Sequence, residues 1–245
     1  MKELKSYAAK TDQGPYLQVN EDDQSVDLAN KVYLVFDGFG GSNIGDKAVE
    51  EVKNNVHSLY TNLGGDPDST LPFYYSHKYL LEGNALINAM YYAHENLKEK
   101  NASKEMSQRG GVAGICACQA DNILTLVGTG NCLGLLYRKG EIETVISPDN
   151  YEYYSTDSYY EHFYSAPMSG FGLFDELHYT AREVKIFSDD VFLLLTDGIY
   201  TRLSRQEIKH ILDKKISDLE KVDSLFRFAN DRGNRDNQTC LLLHY

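Results

Sequence analysis

Apolar and polar positions change period several times along this 245-residue chain, and each change predicts an element. Lys31 to Phe36 (KVYLVF) is β-branched and aromatic and stops at Asp37-Gly38, which predicts a strand followed by a turn. From Asn43 to Tyr60, Ile44, Ala48, Val52, Val56 and Leu59 recur every three or four residues, the period of a helix. Leu80 to Lys100 predicts a second helix, with Leu80, Ala85, Ile87, Met90, Tyr91, Ala93, His94 and Leu97 on its buried side.

The middle of the chain reads differently. Val112 to Gln119, Ile123 to Gly128, Cys132 to Arg138 and Glu141 to Ile146 are short apolar runs separated by turn residues. Closely spaced strands of this kind predict an antiparallel meander, not βαβ units. Arg182 to Phe187 and Val191 to Thr196 are two more strands, joined by Ser188-Asp189-Asp190. Ser204-Arg205-Gln206-Glu207 is a capping-box pattern that opens a helix. Asp218 to Asn230 predicts another helix, and Gln238 to His244 the last strand. Helices inserted between runs of strands are best satisfied by antiparallel sheets packed face to face and covered by helices, an α+β fold. No Pro/Gly/Ser-rich linker divides the sequence, so residues 1–245 are expected to form a single domain. Tyr151 to Tyr164 (YEYYSTDSYYEHFY) has no clean period. It is expected to be a surface excursion with tyrosines half-buried on a sheet edge, the other reading being a flap beside a site.

Composition narrows the function. Hydrophobic residues make up 42%, enough for a sizeable core. The formal net charge of −12 argues against a role built on nucleic-acid phosphates. Cys116, Cys118, Cys132 and Cys240 form no C-x-x-C pair, and Cys116 and Cys118 fall on one side of a strand, so all are expected to be buried thiols. The first ten residues lack the apolar core of a signal peptide, and no apolar run approaches a membrane span. A soluble, cytoplasmic, monomeric protein is expected.

Three aspartates sit at strand ends. Asp37 and Asp197 each end an apolar strand and precede a glycine, and Asp236 comes just before the last strand. With that strand antiparallel to the other two, all three reach the same end of the sheets. Glu21 lies in the polar turn Asn20-Glu21-Asp22-Asp23, about one strand and turn before Asp37. Clustered carboxylates repel unless a cation neutralises them, and hard divalent ions prefer oxygen ligands. Glycine after Asp37 lets a backbone carbonyl come close enough to join such a ligand set.

The chain resembles the PP2C-like, or PPM, family of metal-dependent serine/threonine phosphatases. Thr11-Asp12-Gln13-Gly14 and Asn20-Glu21-Asp22 resemble the opening T-D-x-G…N-E-D, and Val35 to Gly41 resembles V-F-D-G-H-G-G. Arg109 to Ala113 stands in place of the G-T-T strand start. Leu195-Thr196-Asp197-Gly198 through Leu203-Ser204 resembles S-D-G…L-S, and Gly233 to Thr239 resembles G-S-R-D-N-I-T. The matches run in the family's order along nearly the whole chain. The resemblance implies a four-layer α-β-β-α sandwich, with two mainly antiparallel sheets flanked by helices. It implies two Mn²⁺ or Mg²⁺ ions bridged by Asp37, one completed by Glu21 and the Gly38 carbonyl, the other by Asp197 and Asp236. It further implies that a water bridging the metals attacks a phosphoserine or phosphothreonine of a protein substrate, with Asp37, Asp197 and Asp236 as catalytic residues.

Three positions depart from the pattern. Leu17 stands where an arginine holds phosphate, Phe39 where a histidine protonates the leaving group, and Thr129 where the aspartate of V-G-D-S-R contributes to a third metal site. A charged hydrogen bond to phosphate is worth about 1.5–3 kcal/mol, and general acid catalysis about 10²–10⁴-fold. Lys10, Lys47 and Arg109 are candidate replacements for the anchor, and His77 and His162 for the acid. A non-catalytic module that binds a partner and a hydrolase of small phosphate esters are the competing readings.

Overall fold

The structure, a computed structural model, describes residues 2–40, 44–65, 70–156 and 161–245. Two five-stranded sheets dominate it. The first has the order β1 (Ser6–Asp12), β12 (Gln238–His244), β11 (Val191–Leu195), β6 (Leu133–Arg138), β7 (Glu141–Ile146). The second runs β10 (Thr180–Lys185), β5 (Ile123–Thr129), β4 (Gly111–Ala120), β3 (Val32–Phe39), β2 (Asp22–Asp27). Every pairing is antiparallel.

Strand alternation sorts the apolar side chains into three cores. In β3, Val32, Leu34 and Phe36 face α1 (Gly45–Gly65) and α2 (Leu81–Ala102), whereas Tyr33 and Val35 face the other sheet. In β11, Phe192 and Leu194 enter the space between the sheets. Beyond the short helix α3 (Asp197–Tyr200), Val191, Leu193 and Leu195 instead meet α4 (Arg205–Leu212) and α5 (Asp218–Asp231). The result is the α-β-β-α sandwich. Each fully buried leucine contributes about 1.5–3 kcal/mol, so the central strands of both sheets, apolar on both faces, dominate the stability. Cys116 and Cys118 lie together on the helix-facing side, and all four cysteines are free and buried. The Ser204 capping box forms, and Ser217 makes a second one at the start of α5. No described helix is long and apolar enough to cross a membrane.

The structure corrects several expectations. The four middle strands do not form one meander: β4 pairs with β5 in one sheet, and β6 with β7 in the other. The short connection from β10 to β11 likewise crosses between sheets, because β10 pairs with β5 and β11 with β6 and β12. β1 and β2 carry no apolar period (SYAAKTD, DDQSVD), so the sequence pattern misses them. Both are sheet edges, where polar and charged residues are suited to guard against further pairing. The expected start of the first helix, Asn43, lies outside the described residues, and that helix runs on to Gly65. The tyrosine-rich stretch forms a separate two-stranded ribbon, β8 (Asn150–Thr156) with β9 (Glu161–Pro167), and not an edge of either main sheet. Tyr151 is 60% exposed, and the side chains of residues 153–164 lie outside the described part.

Candidate metal centre

The proposed acids meet at one end of the sandwich through a closed circuit of contacts. Residues 33, 35 and 37 of β3 share one face, so Asp37 points into the space between the sheets that Tyr33 and Val35 fill. From the facing sheet, Asp197 follows β11. The Asn131 side chain joins the two, its Nδ2 donating to Asp197 Oδ2 at 2.8 Å and to Asp37 Oδ2 at 3.3 Å. Gly198 presses against the last-strand loop: a Cβ there would lie 1.9 Å from the Asn237 carbonyl oxygen and 3.3 Å from Asp236 Cβ. Asn237 carries the circuit onward, its Oδ1 accepting from the Glu21 amide at 2.9 Å. The Gly38 N–H donates to the Glu21 carbonyl at 3.0 Å, and the Gly45 N–H to Glu21 Oε1 at 3.1 Å. This closes the circuit at the residue beside Asp37.

Two of the motif glycines are required by close approach. A Cβ on Gly38 would lie 2.6 Å from the Glu21 carbonyl oxygen and 2.7 Å from that of Gly45. Gly14 has φ +76 and rests on the Asp236 carbonyl, 2.3 Å from where a Cβ would stand. Thr-Asp-x-Gly therefore serves to seat the first loop on the last one, with Asp12 Oδ1 accepting from the Gly14 amide at 2.8 Å.

The electrostatics are those of crowded anions. Burial holds Asp37 well above the ordinary carboxylate range, and Asp197, Asp22 and Asp236 push it in the same direction. Asp197 is raised to about 7, by burial first and Asp236 second, against the hydrogen bonds of Asn131 and Ser165. Asp236 is raised by burial and partly relieved by the Asn237 amide and the charge of Arg202. Glu21 is raised by burial, with Asp46 and Asp236 adding to the effect and the Gly45 amide opposing it.

Two acids that the sequence reading left unassigned belong to the same environment. Asp22 is 6% exposed and accepts from Thr196 Oγ1 at 2.7 Å, and its pKa is raised by burial, Asp197 and Asp236. Asp46, at the start of α1, adds its charge beside Glu21. Asp22 stands in the Asn20-Glu21-Asp22 motif, which was its available signal, whereas Asp46 lies outside every motif and had none. Ser165, at the base of the ribbon, hydrogen-bonds Asp197, which brings β9 to the edge of the centre.

The hydrogen-bond donors to these carboxylates are neutral, among them Asn131, Ser165, Thr196 and the amides of Gly45, Gly198 and Asn237. Crowded anions, Asp22 and Asp197 buried and Glu21 and Asp37 half-buried, whose hydrogen bonds come from neutral donors, suit a hard divalent cation. Glu21, Asp37, Asp197 and Asp236 are therefore the side chains that could hold such an ion, although among the described residues no three acidic, His or Cys side chains are already gathered as a cage.

The departures from the motif are equally concrete. Leu17 is 39% exposed. The Phe39 ring lies over Gly111 and Gly170, 2.4 Å and 3.2 Å from where their Cβ atoms would stand, so these glycines make room for an apolar ring. Thr129 donates to the His178 carbonyl at 2.7 Å and serves the fold. Lys10 is not an anchor: it pairs with Asp223 at 2.6 Å and lies over the Phe226 ring, on the α5 side. Arg109 Nε donates to the Lys104 carbonyl at 3.0 Å, and Lys47 lines an outer cavity with Glu51 and Lys104. His77 stacks edge-on to Tyr75 ahead of α2, and the His162 side chain lies outside the described residues. Among the described residues, Arg202, which the sequence reading did not single out, is a cation that acts on Asp236.

The fold as a whole matches solved structures. The PPM Ser-Thr phosphatase MsPP from Mycobacterium smegmatis superimposes with a TM-score of 0.77 at 17% identity, over 99% of each chain. The chain has the PPM phosphatase fold. The serine/threonine phosphatase PstP of Mycobacterium tuberculosis gives 0.76 at 20% identity, over 98% of this chain and 97% of that one. The catalytic domain of PstP has also been solved in complex with two manganese ions. In sequence, protein phosphatase PhpP of Streptococcus pneumoniae is 36% identical over 69 residues, which is 28% of this chain and 28% of PhpP. No family model matches the chain. Within the PPM fold, the strand ends that carry Asp37 and Asp197 lie on opposite sheets, so a cleft between sheets is the only place where they can meet.

Proposed function

We propose that this chain is a metal-dependent phosphatase that hydrolyses phosphoserine and phosphothreonine esters in proteins. The observation that carries this reading is the closed circuit of Glu21, Asp37, Asp197 and Asp236 on a PPM fold. In it, Glu21, Asp37 and the Gly38 carbonyl would hold one Mn²⁺ or Mg²⁺ ion, and Asp37, Asp197 and Asp236 a second. Such ions supply positive charge to a phosphoryl group and lower the pKa of water enough to make it a nucleophile at neutral pH.

The chain's own residues set the rest. Thr196 and Asn131 orient Asp22, Asp37 and Asp197. Arg202 brings positive charge to the Asp236 side, which would favour a phosphate dianion there. Phe39 has no proton to give, so the departing alkoxide takes its proton from water and the rate follows the acidity of the leaving group. This reading takes residues 1–245 as one catalytic unit, working as a cytoplasmic monomer on a phosphorylated protein, in keeping with the net charge of −12.

Purified protein with millimolar Mn²⁺ is expected to hydrolyse an aryl phosphate, and Asp37→Asn and Asp197→Asn to abolish it. Hydrolysis no faster than that of the two variants would remove the enzyme reading. The positions of Leu17, Phe39 and Thr129 favour a second reading, a phosphatase-like module that binds a partner without turnover. It predicts that Mn²⁺ raises the melting temperature while neither phosphopeptides nor small phosphate esters are hydrolysed.

A further inference from the structure

The chain passes from one sheet to the other between β5 and β6, and Asn131 stands at that crossing. Its backbone is fixed from two sides. The Tyr200 hydroxyl donates to the Asn131 carbonyl at 2.6 Å, and the Gly130 amide donates to Ser169 Oγ at 2.9 Å. The side chain is 3% exposed and reaches between Asp37 of one sheet and Asp197 of the other.

A carboxamide has two N–H donors on one nitrogen, and here both are used, one on each carboxylate. The opposite orientation would set the amide oxygen against two acceptors, so the surroundings fix which way the group points. In this orientation Oδ1 is buried with no hydrogen-bond partner. An orphaned acceptor is unfavourable, and an apolar residue of the same shape would remove it. The fold instead keeps the amide, whose value then lies in the two bonds of its nitrogen. Those bonds are the direct link between Asp37 and Asp197, which otherwise repel across the cleft.

We propose that Asn131 is a positioning residue that holds Asp37 and Asp197 facing each other across the two sheets and thereby sets the affinity of the centre for divalent cations. This rests on the metal-dependent reading above. It makes Asn131 an outer-shell partner of two ligands at once, and removal of such partners typically lowers metal affinity about 10- to 100-fold. Asn131 acts through Asp37 and Asp197, so its signature is in cation binding and not in turnover alone.

The test is titration calorimetry of Mn²⁺ binding, with thermal melts in EDTA and in Mn²⁺, on the wild type, Asn131→Leu and Asn131→Asp. Asn131→Leu keeps the shape and removes both bonds, and is expected to bind Mn²⁺ about 10- to 100-fold more weakly. Asn131→Asp places a third carboxylate between two others, so it is expected to melt lower than the wild type in EDTA and to gain more from Mn²⁺. If Asn131→Leu does not fold, Asn131→Ala, which removes the same two bonds without adding a charge, takes its place and is expected to bind Mn²⁺ more weakly by the same order. Folded variants with wild-type Mn²⁺ affinity and a wild-type response to Mn²⁺ would overturn the role of Asn131. A wild type that takes up no Mn²⁺ would overturn the metal reading itself, and this inference with it.

Discussion

Removing the charge of Asp197 gives the sharpest test of the buried carboxylate cluster. In the metal-free protein Asp197 titrates at about 7, against 3.8 for an ordinary aspartate. A carboxyl whose folded pKa is raised favours the fold while protonated. That contribution is complete below 3.8 and is lost as pH rises to about 7. Each unit of difference corresponds to about 1.36 kcal/mol, so the part lost between pH 5 and pH 7 is on the order of 3 kcal/mol. For a chain of this size that is roughly 6–12 °C in melting temperature. Asp197→Asn cannot ionise. Melted in EDTA beside the wild type, it should therefore gain stability relative to the wild type by about this amount from pH 5 to pH 8. Comparing the two proteins cancels titrations away from the cluster: His94, lowered by burial, and Asp27 and Glu207, each held at about 2 by hydrogen bonds, are common to both. Asp37 and Asp22 lose the Asp197 charge that raises them, which adds to the difference in the same direction. Saturating Mn²⁺ should flatten the wild-type curve, because a bound cation favours the ionised carboxylates at every pH in the range. Parallel pH profiles for the two proteins in EDTA would refute the claim that Asp197 lies buried among like charges.

Three further outcomes follow from the geometry. Gly38→Ala forces a Cβ to within 2.6 Å of the Glu21 carbonyl oxygen and should weaken Mn²⁺ binding while circular dichroism still reports a folded protein; unchanged affinity would place Gly38 outside the centre. With no proton donor at Phe39, alkyl phosphates should be hydrolysed far more slowly than aryl phosphates, by a factor on the order of the 10²–10⁴ that a general acid supplies; equal kcat/KM for the two would reveal another acid. Leu242→Ala, in the core between β12 and the outer helices, should lower stability by about 2–5 kcal/mol in urea melts and leave Mn²⁺ affinity unchanged.

Much of the architecture was legible in the chain itself, because central strands and amphipathic helices announce themselves by period. β3, β7, β11, β12 and α5 fall within a few residues of the expected bounds. Among the elements that escaped are β1 and β2, whose exposed edge positions remove the apolar alternation on which such a reading depends, and the β8–β9 ribbon, whose tyrosines and acids follow no clean period. Sheet membership escaped as well. A turn such as Ser188-Asp189-Asp190 looks the same whether the next strand returns beside its neighbour or crosses to the opposite sheet, since local residues fix the bend and distant ones fix the partner.

The site divides in the same way. The sequence by itself determined which carboxylates stand at strand ends beside glycine, because those positions follow from strand length and turn chemistry, which are local. Only the tertiary structure decided that Asn131 bridges Asp37 to Asp197, that Asp22 and Arg202 act on the same cluster, and that Lys10 is spent on Asp223 and Phe226. The physical reason is that Coulomb and hydrogen-bond energies depend on distance in space. Residues 37, 131, 197 and 236 have no separation in sequence from which that distance could be read; the packing of one sheet on the other sets it.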